Sequence, residues 1–320
     1  MSGTASVPSY LPFELEVTAV RRLSPHFTRI TLGGTDLMDM DDGGSLGTRD
    51  TRVKVVIPAG PGRTFADVDM TRPDWYRAWL ALDPSLRGHV RTYTARSARL
   101  SATVPELDID FVIHVDDDGG GGPATLWAAN ARLGHRLTVI APNRHYGEVT
   151  GMEWKPPTAG DGRQVQVLLA GDETAAPAIA AILETLPDQY TGDALVEVPT
   201  AADIQELKAP RDVTVTVLSR DDRPRGERLK TAVESIVARL APDACCAPDV
   251  PPVDVDSDIM WETPQPESPT GTSAASVFYA WVAGEAAVVR DIRRSLIGDH
   301  GISRERVAFM GYWRQGRAEG

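Results

Sequence analysis

The stretch RQVQVLLAGDETAAPAIAAILETLP, residues 163–187, joins a run of apolar residues directly to a helical pattern. The run up to Gly171 is almost continuously apolar, which is typical of a strand buried on both faces of a parallel sheet. The helical pattern ends at Pro187, because proline cannot continue a helix. A buried strand followed at once by a helix is the repeating unit of a parallel α/β domain.

The alternation of strand and helix patterns continues beyond this stretch. Strand patterns lie at DALVEVP, DVTVTVLS and SVFYAWVAG, and helical patterns lie at RLKTAVESIVARL and AAVVRDIRRSLIGDHG. We therefore predict an α/β parallel-sheet domain over residues 151–320. Within it, residues 241–276 hold many prolines and seven Asp or Glu, but no Lys, Arg or His. We interpret this segment as a flexible acidic insertion, with a lid as the alternative.

The first half of the chain has a different period. FELEVTAVRRLSPHFTRITLGG, residues 13–34, alternates apolar and polar residues on both sides of a Ser-Pro turn. TRVKVVIP, RTYTARSA and ELDIDFVIHV repeat the alternation, and several short strands separated by turns favour an antiparallel barrel or sandwich. We predict an antiparallel β-barrel domain over residues 1–150, with the boundary near the Gly- and Pro-rich GMEWKPPTAGDGR at 151–163.

Composition and charge exclude several classes of protein. With 42% apolar and 24% charged residues, the 320-residue chain has the composition of a soluble globular protein. Its net charge of −12 argues against non-specific nucleic-acid binding. Its two adjacent cysteines cannot form a disulfide framework, a zinc site or a four-thiolate cluster, and the histidines lack metal-ligand spacing, so we expect no metal site. Without a secretory signal or an apolar run long enough to span a bilayer, a cytoplasmic monomer without stable membrane insertion is expected.

The short strand HVRTYTAR, residues 89–96, raises a question of charge. Alternation places Arg91 and Tyr93 on one face and Thr94 on the other. An inward-facing arginine is costly to bury unless an anion meets it, and the guanidinium fork suits a pyrophosphate. The alternative is an exposed arginine on a barrel strand, with the tyrosine filling the core.

A second candidate lies in FVIHVDDDGGGGPATLWAANA, residues 111–131. A strand runs into glycines, and Pro123 then begins a helical pattern whose first N–H groups are open to an anion. The alternative is a floppy glycine hairpin, in which Asp116 to Asp118 would repel an anion.

The remaining candidates lie where strands end in the second half. Open α/β sheets bind ligands beyond the carboxyl ends of their strands. Thr174 and nearby amides could hold a phosphate there, while Asp172 or Glu173 could instead cap the helix. Gly284 and Glu285 follow another strand, and the arginines after them form either a solvated helix face or a binding face: Arg290, Arg293 and Arg294. In the last motif, GYWRQG, Trp313 either packs or covers a flat cofactor ring.

Taken in order, RTYTAR, LDIDFVIH with GPATLWAANA, LLAGDETAAPAIAAILETLP, WVAGEA with RRSL, and GYWRQG resemble the siderophore-interacting protein family of flavin-dependent ferric-siderophore reductases. The resemblance runs from about residue 13 to 316. It implies FAD held by the β-barrel and NAD(P)H received by the α/β domain. The implied FAD contacts are Arg91, Tyr93, Thr94, His114, Gly122, Pro123, Ala124 and Thr125. The implied nucleotide contacts are Gly171, Asp172, Glu173, Thr174, Gly284 and Glu285, and Trp313 completes the cofactor set.

The activity implied is electron transfer from NAD(P)H through FAD to a ferric siderophore, with release of Fe(II) and with no catalytic side chain. Lys54 is the candidate contact for an anionic siderophore, and a plain exposed lysine is its alternative. A flavin or quinone reductase with a non-iron acceptor, or a flavin-bearing binding protein with little turnover, stays open. The choice between NADH and NADPH is also open, because Arg220 could meet a 2′-phosphate while Asp221 and Asp222 would oppose it.

Overall fold

The computed structural model describes residues 7–60, 72, 74–114, 121–157, 164–240, 260–264 and 276–316. The chain divides between Met152 and Glu153 into two compact units, two residues beyond the sequence-based boundary. Among the helices of these described residues, none has the length and apolarity that a membrane crossing requires.

The first unit is built mainly from seven strands. Its elements in chain order are β1 Tyr10–Ser24, β2 Phe27–Gly33, β3 Arg52–Ile57, α1 Trp75–Leu80, α2 Pro84–Arg87, β4 His89–Thr94, β5 Ser97–Arg99, β6 Glu106–Val112, α3 Pro123–Ala129 and β7 Arg136–Pro142. The strands form one sheet in the order β4-β3-β7-β1-β2-β6-β5, and each described pair is antiparallel.

This sheet curls on itself. Its two edge strands, β4 and β5, are consecutive in the chain, with only Ala95 and Arg96 between them. The N–H of Ala95 donates to Thr51 O at 2.9 Å, on the β3 side, and the N–H of Arg96 donates to Asp108 O at 2.9 Å, on the β6 side. Because a link of two residues joins the two edge strands, the sheet must bend until its edges lie close together, which gives a half-barrel. The predicted antiparallel fold of this unit is confirmed.

The alternation read from the sequence separates a core face from an outer face. On β6, Leu107, Ile109 and Phe111 lie in the buried core, while Asp108 and Asp110 lie on the opposite face. Burying each large apolar side chain contributes roughly 1.5–3 kcal/mol. On the outer face Arg29, opposite Asp110 in register, donates to both of its carboxylate oxygens at 2.6 and 2.8 Å.

The second unit is an α/β sheet. Its elements are β8 Gln164–Gly171, α4 Ala176–Leu183, β9 Tyr190–Val198, β10 Val213–Ser219, α5 Glu227–Leu240, β11 Trp261–Glu262, β12 Ser276–Glu285, α6 Ala286–Arg293, a π-helical turn Arg294–Asp299 and β13 Val307–Trp313. The order is β10-β9-β8-β12-β13-β11, in which the first five strands are parallel and β11 pairs antiparallel with β13. Apolar residues of α5 and α6 cover one face of this sheet.

The strand order creates a switch point beside β8. From β8 the chain adds β9 and β10 on one side, and then adds β12 and β13 on the other. The crevice at the carboxyl ends of β8 and β12 is therefore the place where open α/β sheets bind ligands.

The segment 241–276 lies mostly outside the described residues. Its interpretation as a connection needs correction at one place, because Met260 is buried and Trp261–Glu262 form the edge strand β11. Two-residue strands leave too little alternation to be visible in a sequence.

Candidate cofactor and nucleotide sites

In the first unit, β4 presents Arg91 and Tyr93 on one face. Arg91 pairs in register with Val55, and Tyr93 with Val53, both of which belong to the core. Thr94 is buried on the other face, as the alternation predicted. Arg91 is half-buried, and its Nη1 donates to Val90 O at 2.8 Å.

Tyr93 agrees with parts of both interpretations of HVRTYTAR, because it packs in the core and also shares a face with Arg91. Its ring packs against the core, with its centroid 4.5 Å from that of Phe111. Burial raises the pKa of the Tyr93 hydroxyl, against the opposing charge of Arg91, so the phenol is neutral at physiological pH. A neutral phenol beside a guanidinium can donate to a ligand without adding a second charge.

The helix α3 begins without a side-chain cap. Its Ncap residue, Gly122, is extended, its carbonyl accepts from Leu126 N at 3.0 Å, and a Cβ there would meet no atom within 4 Å. Pro123 occupies the first turn, so the next free donors are the N–H groups of Ala124 and Thr125. Thr125 also donates its hydroxyl to Val112 O at 3.5 Å, which ties the helix to β6.

Aromatic contacts bring the motifs of this unit together. The Phe111 ring lies between Tyr93 of β4, at 4.5 Å, and Trp127 of α3, at 5.8 Å. His114 is exposed, with its ring 6.4 Å from that of His26. Asp116 to Asp118, which would repel an anion, lie outside the described residues. An uncapped helix start, a guanidinium and aromatic rings fit a ligand that is anionic at one end and flat at the other, as FAD is.

Lys54 lies on a different surface of this unit. It pairs in register with Thr92, so it occupies the face opposite Tyr93, and its ammonium is 5.7 Å from the centroid of the Tyr76 ring. The Tyr76 ring stacks on Trp79 of the same helix at 5.7 Å. The lysine is half-buried against α1, rather than the plain exposed residue of the alternative interpretation.

In the second unit, the carboxyl ends of β8 and β12 meet at Asp172. Gly171 pairs with Ala283 in register, and Asp172 follows with only 3% of its surface exposed. Its Oδ1 accepts from the N–H and the hydroxyl of Thr174 at 2.9 and 2.6 Å, and its Oδ2 accepts from Glu285 N at 2.8 Å. Burial, and next the charge of Glu173, raise the pKa of Asp172 above its ordinary value.

Glu173 belongs to a buried group of charges. It is fully buried, and its oxygens accept from Nη1 and Nη2 of Arg220 at 3.2 and 3.4 Å and from Arg225. Arg220 is itself buried and lies 3.5 Å from Glu197. The Glu173 side chain thus binds two arginines, and its contact with a nucleotide stays a prediction. The guanidinium of Arg220 is paired with two buried carboxylates, and its contact with a 2′-phosphate stays open.

Two carboxylates cap the helices at this edge of the sheet. Oxygens of Glu197 accept from Gly226 N at 2.8 Å and Leu229 N at 3.3 Å, at the start of α5. Glu285 accepts from Ala287 N at 2.8 Å and Val288 N at 3.1 Å, at the start of α6. The predicted nucleotide contact Glu285 therefore uses its carboxylate as the N-cap of α6. Of the two acids expected as caps after β8, Asp172 accepts from Thr174 N in the turn before α4, and the N-cap residue of α4, Ala175, makes no side-chain cap.

A cavity lies at the switch point. It is lined by the carboxyl ends of β8, β9 and β12 and by the first turns of α5 and α6, with Arg225 as its cation. Thr174 and Gly284 lie at the same edge, so the structure brings the sequence-predicted positions of this unit together.

The arginines of α6 and of the π-helical turn after it do not all form a solvated face. Arg293 is buried, and it donates to Glu262 of β11 from Nε at 3.0 Å, with Nη2 also 3.0 Å from the second carboxylate oxygen. Arg294 is exposed and Arg290 is half-buried. The ion pair of Arg293 attaches the edge strand to the helix, which helical periodicity alone does not reveal.

Residues 16–146 match the family model of the siderophore-interacting FAD-binding domain, and residues 164–316 match that of the siderophore-interacting protein. The chain belongs to the siderophore-interacting protein family. Rv2895c of Mycobacterium tuberculosis is 30% identical over 311 residues, which cover 95% of this chain and 90% of that protein. The ferric vibriobactin reductase ViuB of Vibrio cholerae is 27% identical over 310 residues, covering 96% and 91%. A crystal structure of a siderophore utilization protein from T. fusca is 30% identical with a TM-score of 0.66, covering 97% and 95%.

Membership of the siderophore-interacting family confirms FAD as the cofactor and a flavoprotein as the class of protein. It also confirms the resemblance read from the five motifs. The roles of the individual site residues stay predictions, and the structure shows which groups surround each of them.

The sequence analysis missed Glu197 and Arg225, which line the cavity at the switch point of the second unit. Glu197 is a single carboxylate within the apolar pattern ALVEVP, and a charge inside a buried strand is a signal that could have been used. Arg225 lies in the polar loop SRDDRPRGER, where several arginines look alike until the fold selects one.

Proposed function

We propose that the protein is an NAD(P)H-dependent ferric-siderophore reductase, which passes electrons through FAD to a ferric siderophore and releases Fe(II). The observation that carries the proposal is the match of both units to siderophore-interacting families, supported by the similarity to a ferric vibriobactin reductase over 96% of the chain.

Bound FAD supplies the conversion of a two-electron hydride donor into a one-electron reductant. One NAD(P)H therefore yields two Fe(II), one NAD(P)⁺ and one proton. Hard oxygen ligands hold Fe(II) less tightly than Fe(III), so reduction releases the metal from its chelate.

The roles of the first unit follow from its donors. Arg91 and the N–H groups of Ala124 and Thr125 bind the pyrophosphate, while Tyr93 lines the flavin with its side chain. The side chain of Thr94 is buried on the opposite face, so Thr94 lines the flavin through its backbone. Lys54, held beside the Tyr76 ring, attracts a negatively charged ferric chelate. Each of these residues binds or orients the cofactor or the ferric chelate, and none acts as a nucleophile.

The roles of the second unit are assigned to the carboxyl ends of its strands. Thr174, Gly171 and Gly284 lie at the crevice where the nicotinamide nucleotide is expected. Trp313, at the end of β13, is the aromatic ring that covers a flat cofactor ring. The domains 1–150 and 151–320 then correspond to the FAD-binding and the donor-binding parts of the enzyme.

The proposal is tested by following NAD(P)H oxidation and Fe(II) formation together, with a ferric siderophore and a chromogenic ferrous trap. We expect two Fe(II) for each nucleotide oxidised, and no Fe(II) above background without the protein. Nucleotide oxidation with a quinone but not with iron would favour the non-iron reductase, and FAD binding with no turnover would favour a binding protein. Either result would overturn the proposal.

A further inference from the structure

Arg225 lies at the carboxyl edge of the sheet in the second unit, where two neighbours orient its guanidinium. Its Nη1 donates to Glu173, which is fully buried in the turn between β8 and α4. The guanidinium also lies over the indole ring of Trp313, 4.6 Å from the ring centroid, and cation–π attraction favours this arrangement. The donors of Arg225 are therefore oriented before any ligand binds.

Arg220 and Arg225 belong to the same loop but differ in how far their donors are used. Arg220, with 11% of its side chain exposed, is paired with both Glu173 and Glu197. The side chain of Arg225 is 22% exposed, and within the described part of the chain only Glu173 accepts a hydrogen bond from it. The Nε and Nη2 groups of Arg225 can thus donate to a ligand.

The N–H groups at the helix starts of this edge donate to the protein itself. Those of residues 174–176, at the start of α4, all donate to Asp172. The carboxylate of Glu197 accepts at the start of α5, and that of Glu285 accepts at the start of α6. Free N–H groups at a helix start are the usual ligands for phosphate in open α/β sheets. Because these N–H groups are engaged, a phosphate at this edge needs a side-chain cation.

The carboxylates of the same edge direct their charge toward protein donors. Oxygens of Glu197 accept from Arg220 and from two N–H groups at the start of α5. Oxygens of Glu285 accept from two N–H groups of α6 and from Gln315 N. The positive end of each helix dipole offsets the negative charge of its carboxylate. Arg225 therefore supplies the positive charge that a ligand meets.

The order of the strands indicates which part of a nucleotide lies beside Arg225. The order β10-β9-β8-β12-β13 is that of sheets that bind dinucleotides, with β8 as the first strand. In such sheets the pyrophosphate lies at the turn after the first strand, and the ribose 2′ position lies beyond the second strand. Glu173 lies in the turn after β8 and holds Arg225 next to it. The position of Arg225 is therefore that of a pyrophosphate contact.

We propose that Arg225 binds the pyrophosphate of the donor nucleotide, the part that NADH and NADPH share. Its Nη1 stays bound to Glu173, while Nε and Nη2 donate to phosphate oxygens, for which the planar guanidinium fork is suited. This inference rests on the proposed function, in which the second unit receives NAD(P)H. It adds a residue that the sequence motifs did not single out, and it predicts that Arg225 does not discriminate between the two nucleotides.

The test measures the binding of NAD⁺, NADP⁺ and ADP-ribose to the full-length holoprotein by isothermal titration calorimetry. Oxidised nucleotides bind without turnover, and ADP-ribose keeps the pyrophosphate but lacks both the nicotinamide and the 2′-phosphate. The variants are Arg225→Ala and Arg225→Lys. Arg223→Ala is the matched control, because Arg223 is an exposed arginine of the same loop that pairs with Glu227.

We expect Arg225→Ala to raise the Kd of all three ligands about ten- to hundredfold, because charge-assisted hydrogen bonds are lost. Arg225→Lys keeps a charge beside Glu173 but loses the fork, so the Kd values should rise about three- to tenfold. Arg223→Ala should stay within twofold of wild type. Arg225→Lys provides the test even if Arg225→Ala fails to fold.

A rise in Kd confined to NADP⁺ would assign Arg225 to the 2′-phosphate and overturn the inference. Unchanged Kd values in the Arg225 variants, equal rises for Arg225→Ala and Arg223→Ala, or a wild type that binds none of the three ligands would also overturn it. Failure of the proposed function has a different signature, because the wild type would then form no Fe(II) while nucleotide binding still depended on Arg225.

Discussion

At the scale of single residues, the partners of an arginine decide what it can do. Arg220 is matched by Glu173 and Glu197 inside the protein, so its charge serves the fold. Among the described residues no carboxylate forms an ion pair with Arg91, whose neighbours on the same face are His89, Tyr93 and the core residue Val55. A half-buried guanidinium with that environment is suited to an anionic ligand.

Arg91→Lys tests this assignment. Lysine keeps the charge but loses the planar fork, so one charge-assisted hydrogen bond of roughly 1.5–3 kcal/mol should be lost. We expect the Kd for FAD to rise about tenfold or more, measured by fluorescence titration of the apoprotein. Arg99→Lys is the control, because Arg99 of the same unit pairs with Asp108 and Glu106 on the outer face of the sheet. Equal Kd values for the two variants would remove Arg91 from the FAD site.

At the scale of elements, the parallel sheet depends on a close approach between β8 and β9. Gly192 has φ +129°, and a Cβ there would lie 2.0 Å from Val167 O, an atom of the neighbouring strand. Any side chain must push the two strands apart just where β9 begins to pair. Gly134 also has a positive φ, +82°, but a Cβ there would meet no atom within 4 Å. Its backbone therefore favours glycine, although a side chain would clash with nothing.

Gly192→Ala and Gly134→Ala separate these two effects. We expect Gly134→Ala to cost about 1 kcal/mol, because only the left-handed backbone opposes the new methyl group. Gly192→Ala should cost roughly 3 kcal/mol or more, because strand pairing is also disturbed. Urea unfolding followed by circular dichroism measures both values, and similar losses for the two variants would contradict the structural explanation.

At the scale of the whole molecule, each unit has a buried aspartate whose pKa is shifted, and the two shifts are opposite. Burial opposes ionisation of Asp108, but hydrogen bonds from Arg99, Thr31 and Ser97 outweigh it and lower the pKa below 3.8. Burial and the charge of Glu173 raise the pKa of Asp172 above 3.8. Stability rises with pH wherever the unfolded state binds more protons, and it falls with pH where the folded state binds more.

Asp108→Asn and Asp172→Asn should therefore differ in the pH dependence of their free energies of unfolding. For Asp108 the destabilisation relative to wild type should be greatest at neutral pH and should shrink as the pH falls below about 3.8. For Asp172 it should grow as the pH falls toward about 3.8, because the folded state binds the proton more readily than the unfolded chain. Urea titrations from pH 3 to 7 measure both dependences, and the same slope for the two variants would contradict the assignments.

The order and type of the main elements are local properties, and the sequence predicted them. A period of two residues indicated the antiparallel unit, and continuous apolar runs followed by helices indicated the parallel one, because each pattern reflects how many faces of a strand are buried. Arg91 likewise lies within a short strand, Gly122 at the start of a helix and Gly171 at the end of a strand, as the local patterns of apolar residues, glycine and proline predicted.

The pairing of charges was decided only by the tertiary structure. Glu173, Glu197 and the loop that holds Arg220 and Arg225 are separated in the chain, and they meet because β8 and β9 lie side by side with α5 beginning at the same edge. Whether a carboxylate caps a helix, binds an arginine or faces a ligand depends on the atoms that surround it. A sequence fixes which groups are charged, but desolvation and pairing arise only when the crossovers of the sheet bring distant segments into contact.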